Sequence, residues 1–298
     1  MPPGLYLLHK PVGVTSFSLV QAALDAARAA DPRHRPKVVH GGALDPFAHG
    51  LLILLTGPAV KLFEYLHPIP KAYDATIRWG VETDNGDPLG RPVVTGDASA
   101  LTPARLEAAM ATFVGWHDQV PPATSNKRVG GERAYAKAHR GEAVELPPSR
   151  VYLHSAEWVS HDLPRASVLR VVVRGGFYVR SLARDLGRAV GCRAHLGELH
   201  RTAIGPYGDP GPGSEPVAVS SGEILSWAPT RILDDNEVGE LRAGRPISVG
   251  VVARGARLPD GFPDPEAPVR GLHRERVAFL LRRDGNRLAT ITEFRGGL

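Results

Sequence analysis

Asp45 is the residue of this sequence best placed to do chemistry. It sits in the glycine-flanked stretch His40-Gly41-Gly42-Ala43-Leu44-Asp45-Pro46-Phe47-Ala48-His49-Gly50. Glycines open dihedrals that other residues resist, and Pro46 pushes the residue before it towards extended backbone. A carboxylate so constrained has two uses. It can close a turn or cap a helix, which is the commoner role of an Asp-Pro pair. It can also be a positioned nucleophile or a counter-charge for an electron-poor carbon. The segment taken alone favours the first use.

The rest of the chain narrows the chemistry by what it lacks. It holds no phosphate-cradling Gly-x-x-x-x-Gly-Lys, no dinucleotide Gly-x-Gly-x-x-Gly after a strand and no Gly-x-Ser-x-Gly elbow. Cys192 is the only cysteine, which excludes an intrachain disulfide and a cysteine-rich zinc site. The 12 histidines form no metal-ligand spacing, so neither a metal nor an organic cofactor is expected. A glycoside hydrolase needs two carboxylates flanking one bond, and no second acid is as constrained as Asp45. Net charge is +5 and the isoelectric point about 9.5, which favours a polyanionic partner. Of 36 basic residues 30 are arginine, whose planar fork suits phosphates and stacks on bases. A GC-rich coding sequence produces the same enrichment, so composition permits nucleic-acid binding without requiring it. No apolar run approaches the ~20 residues of a membrane helix, and no signal-like region opens the chain; a cytoplasmic protein is expected.

Periodicity indicates the elements that must position these residues. Leu5 to Leu8 reads as a strand, and Ser16 or Ser18 as the cap of a helix through Ala30. Leu51 to Leu55 is continuously apolar, as in a strand buried on both faces, and Pro58 to Leu66 reads as a short helix. Lys71 to Trp79 alternates, with Tyr73, Ala75, Ile77 and Trp79 on one face. Thr102-Pro103 opens a helix to about Val114, and Val120 to Pro148 is a long basic loop. Val168 to Val173 is a strand ended by Gly175-Gly176. From Phe177 a helix follows, with Val179, Leu182, Ala183, Leu186 and Val190 on one face and Arg180, Arg184 and Arg188 on another. Tyr207 to Pro216 is a linker candidate; beyond it, a helix over Asp234 to Arg242 and a hairpin about Asp284-Gly285 suggest a small β domain.

Four separated segments then carry a resemblance. They are Lys10-Pro11-x-Gly13-x-Thr15-Ser16; Gly42-Ala43-Leu44-Asp45-Pro46 with Ala48 and Gly50; Lys71-x-Tyr73; and Tyr178-Val179-Arg180 with Asp185-Leu186-Gly187. Pro121-Pro122-x-x-Ser125 continuing to Gly131 and Tyr135, and Leu199 with Arg201, extend it over residues 5 to 207. In order and spacing the chain resembles the TruB-type tRNA pseudouridine synthases. Three departures stand out: Phe177 where the family has a small polar residue, Arg174-Gly175 at a strand end that usually bears serine, and Thr124 where a bulky residue is common.

The resemblance implies an α+β catalytic fold with a mixed, largely antiparallel sheet flanked by helices, over residues 1–210. Residues 120–148 would be its basic RNA-contacting loop and 211–298 a PUA-like RNA-binding domain. It implies isomerisation of uridine to pseudouridine at position 55 of the tRNA T-loop, by base flipping and by a monomer. The bond from uracil N1 to ribose C1′ breaks and the base rejoins through C5. Asp45 would be the catalytic aspartate and Arg180 the cation that keeps it ionised. Tyr73 would stack on the target base, with Tyr178, His40 and Leu199 contacting the substrate. Lys127, Arg128, Arg133, Arg184 and Arg201 would contact RNA. Read without the resemblance, Tyr73 and Leu199 are ordinary core residues and the arginines a solvated stripe. A non-catalytic RNA-binding or tRNA-folding protein on the same scaffold is the alternative.

Overall fold

A computed structural model describes the chain except residues 32, 34, 126, 130, 135, 136, 138, 139, 141, 143–145 and 264–266, and except the side chains of 128, 129 and 133. The elements used below begin with β1 (Gly4–Lys10), α1 (Ser16–Ala30), β2 (Val38–His40), β3 (His49–Thr56), β4 (Lys71–Trp79), α2 (Pro103–Ala111) and β5 (Gly115–Gln119). Then come β6 (Ser149–Asp162), β7 (Ala166–Val173), α3 (Val179–Ala189) and β8 (Ala194–Ile204). The last are β9 (Thr230–Ile232), α4 (Asp235–Arg242), β10 (Ile247–Ser248), β11 (Val269–His273), β12 (Arg276–Asp284) and β13 (Arg287–Glu293). They fall into two compact units: Met1–Asp45, Gly50–Ile69 and Ala203–Leu298 form one, Pro46–His49 and Pro70–Thr202 the other.

In the first unit β3 is flanked by β1 and β2, both antiparallel to it, with Leu7 opposite Ile53 and His40 opposite Leu54. The apolar run of β3 is buried on both sides. Leu52 and Leu54 meet Val20 of α1, while Leu51, Ile53 and Leu55 join a core with Leu62, Leu66, Trp227 and Leu298. Two expectations need correction. Thr15, not Ser16 or Ser18, caps α1, accepting from the Ser18 N–H at 3.0 Å. Tyr207, expected to open a linker, is 5% exposed and part of the same core. The Pro58 to Leu66 segment is a 3-10 turn over Gly57–Leu62 followed by one α-helical turn, Phe63–Leu66.

The C-terminal part of this unit carries a five-stranded sheet in the order β9-β11-β12-β13-β10. Its own core gathers Val238 and Leu241 of α4 with Phe279, Leu281 and Leu288. The hairpin of β12 and β13 closes at Asp284 opposite Arg287, where the sequence places it.

In the second unit the strand order is β8-β4-β7-β6-β5, with β4 to β5 antiparallel throughout. The alternation of β4 is met, since Tyr73, Ala75, Ile77 and Trp79 are all buried. So is the apolar face of α3: Val179, Leu182, Ala183, Leu186 and Val190 are all buried. α2 stops at Ala111, earlier than expected, because Thr112 takes the capping position and Gly115 adopts φ +93°. Two long strands, β6 and β8, carry no expectation from the sequence.

Candidate active site

Asp45 ends the first segment of the first unit, and its turn is fixed from outside. The hydroxyl of Ser16, 3% exposed, accepts from the Leu44 N–H at 2.9 Å and donates to the Leu44 carbonyl at 3.2 Å. Both polar groups of the residue before the aspartate are thus held by one side chain. Ser16 is in turn set by the preceding turn, where the buried Lys10 ammonium donates to the carbonyls of Pro11 at 2.9 Å and Val14 at 2.8 Å. Gly42 has φ +141°, a conformation that an L side chain would strain. Lys10, Thr15 and Ser16 therefore form the scaffold of the Asp45 turn, a role that their sequence motif alone does not show. His40 ends β2, partly buried, in the same unit.

The second unit gathers Arg180, Tyr178, Tyr73, Leu199, Lys127, Arg184 and Arg201. Arg180 lies in the first turn of α3 and is 4% exposed. Its Nη1 donates to Thr124 Oγ1 at 2.6 Å and to the Asn85 carbonyl at 3.0 Å. Its Nη2 reaches the Thr124 carbonyl at 3.3 Å. Asp87 Oδ2 lies 3.7 Å from Nη1, and both side chains are buried. Asp87 is itself held, its Oδ1 accepting from the Leu89 N–H at 2.9 Å and from Asn85 Nδ2 at 2.8 Å. Gly86 permits this approach: it has φ +76°, and a Cβ there would stand 3.4 Å from Arg180 Cβ. A buried guanidinium needs such compensation, because an unpaired charge in low dielectric is costly. Thr124, a departure from the family pattern, supplies two of these contacts. No sequence motif marks Asp87 for this role.

Tyr178 precedes α3 and donates its backbone N–H to Gln119 Oε1, 2.9 Å away at the end of β5. Tyr73 on β4 is 8% exposed and Leu199 on the neighbouring β8 is 5% exposed. Lys71, on the same face as Tyr73, is 7% exposed. Burial, together with the like charges of Arg201 and Arg174, lowers its ammonium pKa to about 7.

The arginines of α3 are ion-paired, with Arg180 and Arg184 largely buried and Arg188 half exposed. Arg184 pairs with Asp185 at 2.8 Å and donates to the Val120 carbonyl, and Arg188 pairs with Glu82. Arg201 is 1% exposed, so it presents no surface for RNA. Lys127 donates to Ser149 Oγ. The backbones of Arg128 and Arg133 belong to a two-residue-per-strand hairpin, while their side chains, and Tyr135, lie outside the described residues. Among the described residues no cluster of His, Cys, Asp and Glu could hold a metal ion.

Residues 30–179 match the family model described as TruB family pseudouridylate synthase (N terminal domain). Residues 180–220 match that of the tRNA pseudouridylate synthase B C-terminal domain. The chain belongs to the TruB family. Among its curated relatives, "tRNA pseudouridine synthase B" of Xanthomonas campestris pv. campestris (strain B100) is 44% identical over 207 residues, covering 70% of this chain and 65% of the relative. The match thus spans somewhat less than two thirds of that relative's length. The protein of the same name from Arthrobacter sp. (strain FB24) is 38% identical over 266 residues, 85% of each chain. In a solved Cbf5-Nop10-Gar1 complex, a chain 21% identical superposes with a TM-score of 0.67 over 97% of this TruB-family chain and 84% of its own length. That likeness confirms the α+β pseudouridine-synthase fold.

Proposed function

We propose that this TruB-family chain converts uridine to pseudouridine in tRNA, at position 55 of the T-loop. What carries the reading is the family match, which runs from before Asp45 to beyond Arg180 and so takes in every catalytic position inferred from the motifs. The reaction breaks the N1–C1′ bond, turns the uracil, forms C5–C1′, and moves the C5 proton away while N1 regains one. Asp45 acts on the C1′ side as the ionised carboxylate, Tyr73 stacks on the extruded base, and Arg180 completes the catalytic set. His40, Tyr178 and Leu199 contact the substrate. The Ser16 clamp and the Thr124–Arg180–Asp87 cluster support the reading because each rigidly holds a group that chemistry of this kind needs in place.

Extruding a base costs on the order of a few kcal/mol, which contacts elsewhere on the RNA must supply. The 120–148 loop, with Lys127, Arg128 and Arg133, is proposed for that, and residues 211–298 as a PUA-like RNA-binding domain. A core on one face of its sheet supports the second assignment, while Val277, Leu280 and Phe294 pack into the core shared with β1 and β3. The protein is proposed to act as a monomer in the cytoplasm; no described helix is long and apolar enough to cross a membrane.

The test is tritium release from C5-labelled uridine in unmodified tRNA. Wild-type protein should release it, and Asp45→Asn should not while still binding tRNA. Turnover retained by Asp45→Asn would remove that residue from the mechanism. Wild-type protein that binds T-arm RNA but forms no pseudouridine would favour the non-catalytic reading.

A further inference from the structure

One of the family departures stands on an exposed face of the sheet at β5. Arg174, just beyond β7, sets its guanidinium carbon over the Trp116 ring at 5.9 Å from the centroid. Phe177 packs edge-on to His117, whose side chain lies on the other face of β5, with centroids 5.7 Å apart. Trp116 stands opposite Tyr152 of β6 in the sheet, and their rings lie 5.1 Å apart. Alternation puts Arg150 on this same face, where its ion pair with Asp118 is solvent-exposed. Trp116 is 44% exposed, whereas Trp79 and Trp227 are buried. The Trp116 ring thus presents an exposed aromatic face beside the Arg174 guanidinium.

We propose that Trp116, backed by Tyr152 and flanked by Arg174, is a stacking platform for an unpaired RNA base. The proposal rests on the reading that RNA is the substrate. An aromatic face with an adjacent guanidinium suits a nucleotide, because the ring takes the base while the cation faces the phosphate. The platform serves a different base from the one that reacts. β5 is the third strand along from β4 in the order β4-β7-β6-β5, so at the usual strand spacing it is about 14 Å from the strand bearing Tyr73. It is thus a surface set apart from the strand that carries Tyr73.

The experiment titrates the full chain with a T-arm hairpin RNA and with single abasic versions of it, one at each unpaired position. Trp116→Ala should raise Kd about tenfold and Trp116→Phe should restore most of the loss. Arg174→Gln, which leaves the ring in place, should raise it roughly threefold. Val159→Ala, which trims an exposed apolar residue elsewhere on β6, should leave Kd unchanged. At one position, the abasic RNA and Trp116→Ala should lose no more together than either alone. A Kd for Trp116→Ala and Arg174→Gln equal to wild type, or additive losses at every position, would overturn the platform. In either case tritium release by wild-type protein still reports separately on the proposed reaction.

Discussion

Ser16 bonds both the N–H and the carbonyl of Leu44 while buried, so removing its hydroxyl strands two polar groups at once. An unsatisfied buried group costs about 1–3 kcal/mol. Ser16→Ala should therefore lower stability by about 2 kcal/mol in denaturant unfolding. It should also reduce pseudouridine formation beyond what tRNA affinity explains, because the Asp45 turn loses its clamp. Lys71 makes a different kind of test. In the unfolded chain its ammonium titrates near 10.5, and in the fold at about 7. Between those values the unfolded state holds the extra proton, so stability rises as pH increases from 7 towards 10.5 and is level below 7. Comparing wild type with Lys71→Met at pH 7, 8 and 9 isolates the effect. The wild type should gain on the variant by up to about 1.4 kcal/mol per pH unit.

Among the elements, what the sequence disclosed followed the strength of local pattern. β3 is continuously apolar from Leu51 to Leu55 and β4 alternates without a break, and both stand where the residues place them. β8 was not legible because its buried positions change phase. Ala194 and Leu196 are buried, then Leu199 and Arg201, with the shift falling at Gly197 and Glu198. β6 was hidden for a related reason, as its register slips against β7 at two points and its outer half is largely exposed. The candidate site divides in the same way. Asp45, Tyr73 and Arg180 could be named because their motifs stand in family order. Ser16's contact with Leu44 spans 28 residues and Arg180's with Asn85 spans 95, and neither has a local signature. Thr124 illustrates the limit most sharply: it reads as an oddity in sequence and as a ligand of a buried guanidinium in the fold.

At the scale of the whole molecule, charge should govern the proposed encounter with tRNA. The chain carries a net +5, and contacts to phosphate displace condensed counterions. Affinity for tRNA should fall by about tenfold or more between 50 and 200 mM salt, as a filter-binding titration would read. A salt-insensitive Kd would mean that shape and stacking dominate instead. The first unit has a consequence of another sort. Its main core joins Leu5 and Ile53 to Trp227, Phe294 and Leu298, so it closes only with residues from far along the sequence. Contacts of that separation are slow to form and cannot be made before their partners exist. On the ribosome, β1 and β3 must therefore wait, with one apolar face uncovered, until residues 224–298 have emerged. During that interval the nascent protein is exposed to chaperones and proteases, and a ribosome stalled before residue 224 would leave β1 and β3 uncovered.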